Sequence, residues 1–127
     1  MVVFSLFMTL LLTSTMMIFG TVFLKKPPKE INALFGYRTR MSSVNAETWY
    51  FAHRYAGEVW VRTGITVTAA SMLLILLLKN SENFESYMLI LFYLQMASML
   101  MVIPLTEKAL RKRFDKEGNR LQQTSRR

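Results

Sequence analysis

The sequence predicts an all-α membrane protein: three transmembrane helices, with an amphipathic cytoplasmic helix before the second span. Three observations carry this reading. The chain of 127 residues is 52% hydrophobic, yet its apolar residues are gathered into three long blocks and not spread at the periods of soluble amphipathic elements. Lys and Arg outnumber Asp and Glu by 16 to 8, and the basic residues flank the blocks without forming a patch, which argues against a nucleic-acid partner. Cys is absent, which excludes disulfides, thiolate catalysis and thiolate metal sites.

The first span occupies residues 1–24. Val2 to Leu24 carries no charge, and that much helix is about 35 Å long, enough to cross a bilayer core with some tilt. No Lys or Arg precedes it, it is too long for the apolar part of a signal peptide, and no small-x-small cleavage site follows, so it is read as a retained span. The second span, residues 59–78, holds Arg62 in its first turn, from which the side chain can snorkel to the headgroups. The third, residues 87–105, has Gln95 as its strongly polar residue and ends at Pro104. Each span carries a stripe of small or hydroxylated residues: Thr9, Thr13 and Gly20; Gly64, Thr68 and Ser71; Gln95 and Ser98. Such stripes let helices approach closely and hydrogen-bond where lipid supplies no hydrophobic drive.

Basic residues set the expected orientation. Residues 25–58 contain Lys25, Lys26, Lys29, Arg38, Arg40 and Arg54; the tail, residues 106–127, contains Lys108, Arg111, Lys112, Arg113, Lys116, Arg120, Arg126 and Arg127. The connection 79–86 has one basic residue, so the positive-inside rule puts the N-terminus outside and the C-terminus in the cytoplasm.

The segment 25–58 is the informative part. Lys25-Lys26-Pro27-Pro28 stops the first helix and holds the chain extended. A turn follows at Met41 to Asn45, with Ser43 or Asn45 as N-cap of a helix from Ala46. Trp49, Ala52, His53, Ala56 and Trp60 then share one helical face, while Arg54–Glu58 and Glu58–Arg62 stand at i,i+4 on another, with a bend expected near Gly57.

Asn32-x-x-x-Gly36-Tyr37-Arg38-Thr39, a turn, then Glu47-Thr48-Trp49-x-x-Ala52-His53-x-x-Ala56-Gly57 resembles the signature of the SdpI-type (SdpI/YfhL) bacterial membrane protein family. The matching stretch runs from about residue 27 to 60, and the two later spans also fit the family's domain. The resemblance implies a multi-pass membrane protein. It also implies the role of the family's named member: immunity to a secreted toxic peptide, and signalling by sequestering a transcriptional repressor. The chain is shorter than that member, with one three-span unit.

Weighed singly, the residues leave alternatives open. His53 is either an interfacial packing residue or a functional group. Arg38 either captures a carboxylate or lipid phosphate with its planar fork, or pins the loop to the helix through Glu47 or Glu58. Gly36 reads as a turn residue, Trp49 and Trp60 as interfacial anchors, and Gln95 as bonded to a neighbouring helix. The expected binding site at the inner face comprises Asn32, Gly36, Arg38, Thr39, Trp49, His53, Glu58 and Arg62. In the tail, Leu110 and Phe114 are expected to lie on the membrane while Lys108, Arg111, Lys112 and Arg113 meet anionic lipids. A toxic peptide and a cytoplasmic regulator are the expected protein partners. Neither a cofactor, a metal nor a catalytic residue is assigned: His53 is the single His, and nucleophile–base and P-loop patterns are absent. The alternative function is a small membrane enzyme, or a transporter acting on a lipid or peptide, whose path would need a homo-oligomer.

Overall fold

The computed structural model describes residues 2–32 and 36–121, and those residues are all-helical apart from loops and one isolated bridge. The helices are α1 (Val2–Lys25), α2 (Ala46–Leu78), α3 (Phe84–Leu100) and α4 (Val102–Arg113). Three stretches are long and apolar enough to cross a membrane: α1, α2, and α3 run together with α4.

Along the spans, small and hydroxylated residues of the stripes face inward, while many of the large apolar residues face outward. Phe7, Leu74 and Leu77 are exposed, whereas Thr9, Thr13, Gly20, Gly57, Gly64 and Ser71 are buried. This is the pattern of helices that meet in lipid, where close packing and hydrogen bonds hold them together. The most extensive contact joins α1 to α2. There a Cβ added at Gly57 would stand 2.7 Å from the Gly20 carbonyl oxygen, so the backbones touch where a side chain would part them. Gln95 ties in the third helix, donating from Nε2 to Thr9 Oγ1 on α1 and to Ser71 Oγ on α2, both at 2.9 Å. Intramembrane bonds of this kind contribute on average about 0.6 kcal/mol each. Other hydroxyls of the stripes turn back on their own helices: Thr13 to the Thr9 carbonyl, Thr68 to Gly64, and Ser98 to Leu94.

The amphipathic helix and the second span are one helix. Its 33 residues continue through Gly57 without a break, because that glycine is used for contact with α1. At 1.5 Å per residue the helix is about 50 Å long, some 20 Å more than a hydrocarbon core. Its first turns therefore project beyond the core. Asn45 is the N-cap, forming a reciprocal box with Thr48 in which each backbone N–H donates to the other's side chain.

Pro104 does not end the third helix. The chain passes from α3 through a turn at Met101 into α4, where Pro104 falls in the first turn and its missing N–H leaves no intrahelical bond unmade. The tail also differs from the expectation for a segment lying on lipid. Leu110 and Phe114 are buried in one core with Phe23, Tyr37, Ala52, Ala56 and Val102, and Phe114 meets the Phe51 ring edge-on at 5.7 Å. The chain then turns back: Phe114 bridges to Arg120, and the Asn45 side chain donates to the Gly118 carbonyl at 3.0 Å.

Candidate functional site

Between α1 and α2 the described residues are tied together, and to α2, by hydrogen bonds. Pro28, just past the end of α1, presents its carbonyl to the Trp49 indole N–H at 2.7 Å. Trp49 is consequently 1% exposed, an internal residue and not a rim anchor. Trp60, further along α2, is half-buried and donates to the Met99 carbonyl at 3.0 Å.

His53 is the centre of the segment. It is fully buried, with the Trp49 ring centroid at 4.5 Å and the Phe23 ring, nearly perpendicular to the imidazole, at 4.8 Å. Its Nε2 accepts the backbone N–H of Tyr37 at 2.8 Å, while Nδ1 lies 2.8 Å from the Trp49 carbonyl. An acceptor at Nε2 and a carbonyl at Nδ1 define the neutral ring with its proton on Nδ1. The preceding residue allows the approach. Gly36 has φ +117°, and a Cβ there would stand 2.6 Å from His53 Nε2.

Tyr37 carries the link onward to α4. Its ring is buried, and its hydroxyl donates to Glu107 Oε2 at 2.8 Å, with the Ile103 carbonyl at 3.2 Å. Burial, then the adjacent Glu107 carboxylate, push the phenol above its usual range, so it stays protonated and serves as the donor. Thr39 Oγ1 donates to the same carboxylate oxygen at 2.7 Å. Ser42, fully buried, accepts the Thr39 N–H at 2.8 Å and turns its hydroxyl toward the Tyr37 carbonyl at 3.0 Å. Thr48 closes the turn onto α2 by donating to the Ser42 carbonyl at 3.1 Å.

The expected site residues are thus divided. Gly36, Thr39, Trp49 and His53 come together inside the segment. Arg38 lies between two of them in sequence but is exposed. It makes neither expected ion pair, since Glu47 is taken by Arg120 of the tail, the ion pair found among the described residues. The i,i+4 pairs around Glu58 do not form either: Glu58 and Arg62 are exposed, and Arg54 turns back to the Tyr50 hydroxyl at 3.4 Å. Asn32 is exposed and donates to the Glu30 carbonyl at 3.0 Å. The aromatics and paired prolines of the segment also lead to the expectation that Leu34, Phe35 and Tyr37 pack against the Trp49/His53 face; Leu34 and Phe35 lie outside the described residues. Of the basic tail residues, Lys108, Arg111 and Lys112 are exposed on α4, whereas the Arg113 guanidinium sits 5.1 Å from the Phe51 ring centroid. Sequence reasoning missed Glu107, Ser42 and the Pro28 carbonyl. Glu107 alone left a signal, as an acid at the head of a strongly basic tail.

The model of the SdpI/YfhL protein family matches residues 29–106, which include the segment, α2, α3 and the start of α4. The chain is 31% identical over 105 residues to the uncharacterized protein YfhL of Bacillus subtilis (strain 168), covering 82% of this chain and 87% of that one. No solved structure matches. Matched by the family model over more than half its length and by this relative over most of it, the chain is a multi-pass membrane protein belonging to the SdpI/YfhL family.

Proposed function

We propose that this protein is a binding and signalling component of the bacterial plasma membrane that confers immunity to a toxic peptide. The observation that carries the reading is the internal wiring of the signature segment. His53 and Glu107 join one short loop to α2 and α4, while the Trp49–Pro28 bond holds it to the end of α1. A ligand contacting the exposed Arg38 would therefore act on three helices at once, which suits a sensor better than a catalyst. Arg38 is the group that meets the ligand, and the buried residues around it are its support. Lys108, Arg111 and Lys112 meet anionic lipid at the inner surface, beside a docking place for a cytoplasmic regulator. Cells lacking the protein should become sensitive to membrane-active peptides secreted by neighbouring bacteria, and the wild-type chain should restore survival. Unchanged survival across a panel of such peptides would defeat the proposal.

The reading requires the segment and tail to face the cytoplasm, with the N-terminus outside. Cysteines introduced at Asn80 and Lys116, both exposed, test this in a chain without native Cys. In intact cells an impermeant thiol reagent should label Asn80→Cys and spare Lys116→Cys until the membrane is opened. The opposite pattern would reverse the orientation.

A further inference from the structure

Where α1 gives way to the paired prolines, the structure has a hollow of about 680 Å³ between that turn and the start of α2. Lys25, Lys26 and Lys29 line it, together with Pro28, Trp49 and Tyr50, and no acidic residue does. None of the three ammonium groups has an ion-pair partner among the described residues. The walls are stiff, because consecutive prolines restrict the turn and the Trp49–Pro28 hydrogen bond fixes the indole against it. We propose that this hollow binds the phosphate headgroup of an anionic phospholipid.

Size, charge and position support the assignment together. The volume lies in the ordinary range of small-ligand sites, about 300–1,000 Å³. Lysines hold phosphate as point charges and need no planar geometry, so three flexible ammonium groups over a fixed wall suit an anion of variable orientation. The lysines directly follow an apolar membrane helix, at the level where headgroups lie. Ile18 and Phe19, about two turns earlier on α1, are exposed and apolar and offer acyl chains a surface that a soluble phosphate ester could not use. The site is distinct from the basic face of α4, and it does not depend on the immunity reading.

The test uses the purified full chain in nanodiscs of phosphatidylcholine, with or without phosphatidylglycerol, and counts retained lipid by native mass spectrometry. Removing all three lysines (Lys25→Gln, Lys26→Gln, Lys29→Gln) should weaken phosphatidylglycerol retention about tenfold or more. Three Lys→Arg changes at the same positions should preserve it, which separates charge from any fault in folding. Arg40→Gln, Lys79→Gln and Lys116→Gln together remove the same formal charge from exposed positions outside the hollow and the α4 basic face, and should change retention by less than about twofold. Glycerol phosphate added to phosphatidylcholine discs should not bind at concentrations where the lipid saturates. Equal losses in the two glutamine triples, or no loss in the first, would overturn the site. Binding of glycerol phosphate as tight as that of the lipid would reassign the hollow to a soluble phosphate ester.

Discussion

Gly36→Ala should unseat the signature segment and lower the protein's stability by about 2–5 kcal/mol, one of the largest effects of any single methyl group here. Two costs combine. A φ of +117° is a conformation that L side chains rarely adopt, and a Cβ would stand 2.6 Å from His53 Nε2 and 3.2 Å from both Pro28 Cγ and Trp49 Cζ2. Relief requires either the backbone or the imidazole to move, and either motion breaks the bond from the Tyr37 N–H to Nε2. A buried N–H without an acceptor costs about 1–3 kcal/mol. Thr39→Val should cost less, because Glu107 then still accepts from Tyr37. Unfolding in mixed micelles measures the difference, and hydrogen exchange at the Tyr37 amide locates it. Wild-type stability and a protected Tyr37 amide in Gly36→Ala would show that this contact does not hold the segment.

How far the sequence carried the fold depends on the range of the interactions. The spans were legible because apolar blocks are continuous along the chain, and the Trp49/Ala52/His53/Ala56 face because helical periodicity is local: all four residues are buried. Gln95 was expected to seek a neighbouring helix on energetic grounds alone, although the choice of Thr9 and Ser71 was not legible. The failures concern residues far apart in sequence. Arg38 was matched with Glu47 or Glu58 by nearness in the chain, but the tail folds back and places Arg120 at Glu47, a separation of 73 residues. The same return brings Glu107 to Tyr37, which lies 70 residues earlier. Leu110 and Phe114 pointed to lipid only while that return was unseen; once the tail docks, their apolar face meets Ala52, Ala56 and Phe51. The N-cap choice between Ser43 and Asn45 was local, and the Thr48 that decides it was visible three residues on.

Substitutions at His53 and Arg38 should separate support from recognition. His53→Gln keeps a side-chain oxygen able to accept the Tyr37 N–H, so it should retain most of the stability and protect cells nearly as well as wild type. His53→Leu fills much of the same space but offers no acceptor, leaving that buried N–H unpaired at a cost of about 1–3 kcal/mol. His53→Ala adds a cavity to the same loss and should be worse, by about 2–4 kcal/mol in all. Function should follow stability across this series, because the neutral ring holds the loop by accepting the Tyr37 N–H at Nε2, while Nδ1 bonds the Trp49 carbonyl of its own helix and orients the ring. If Gln fails alongside Ala at normal membrane abundance, a titrating role for the imidazole replaces this account. Arg38 should behave in the opposite way. Its side chain is exposed and outside the ion pair at Glu47, so Arg38→Ala should leave unfolding and Tyr37 exchange within about 0.5 kcal/mol of wild type. It should nevertheless abolish protection, and Arg38→Lys should impair it more than loss of one tail charge does, since Lys keeps the charge without the planar fork. A survival assay with membrane levels measured in parallel reads both residues. Full protection by Arg38→Ala at normal abundance would remove this side chain from the binding surface and leave the signature segment a structural clasp between α1, α2 and α4.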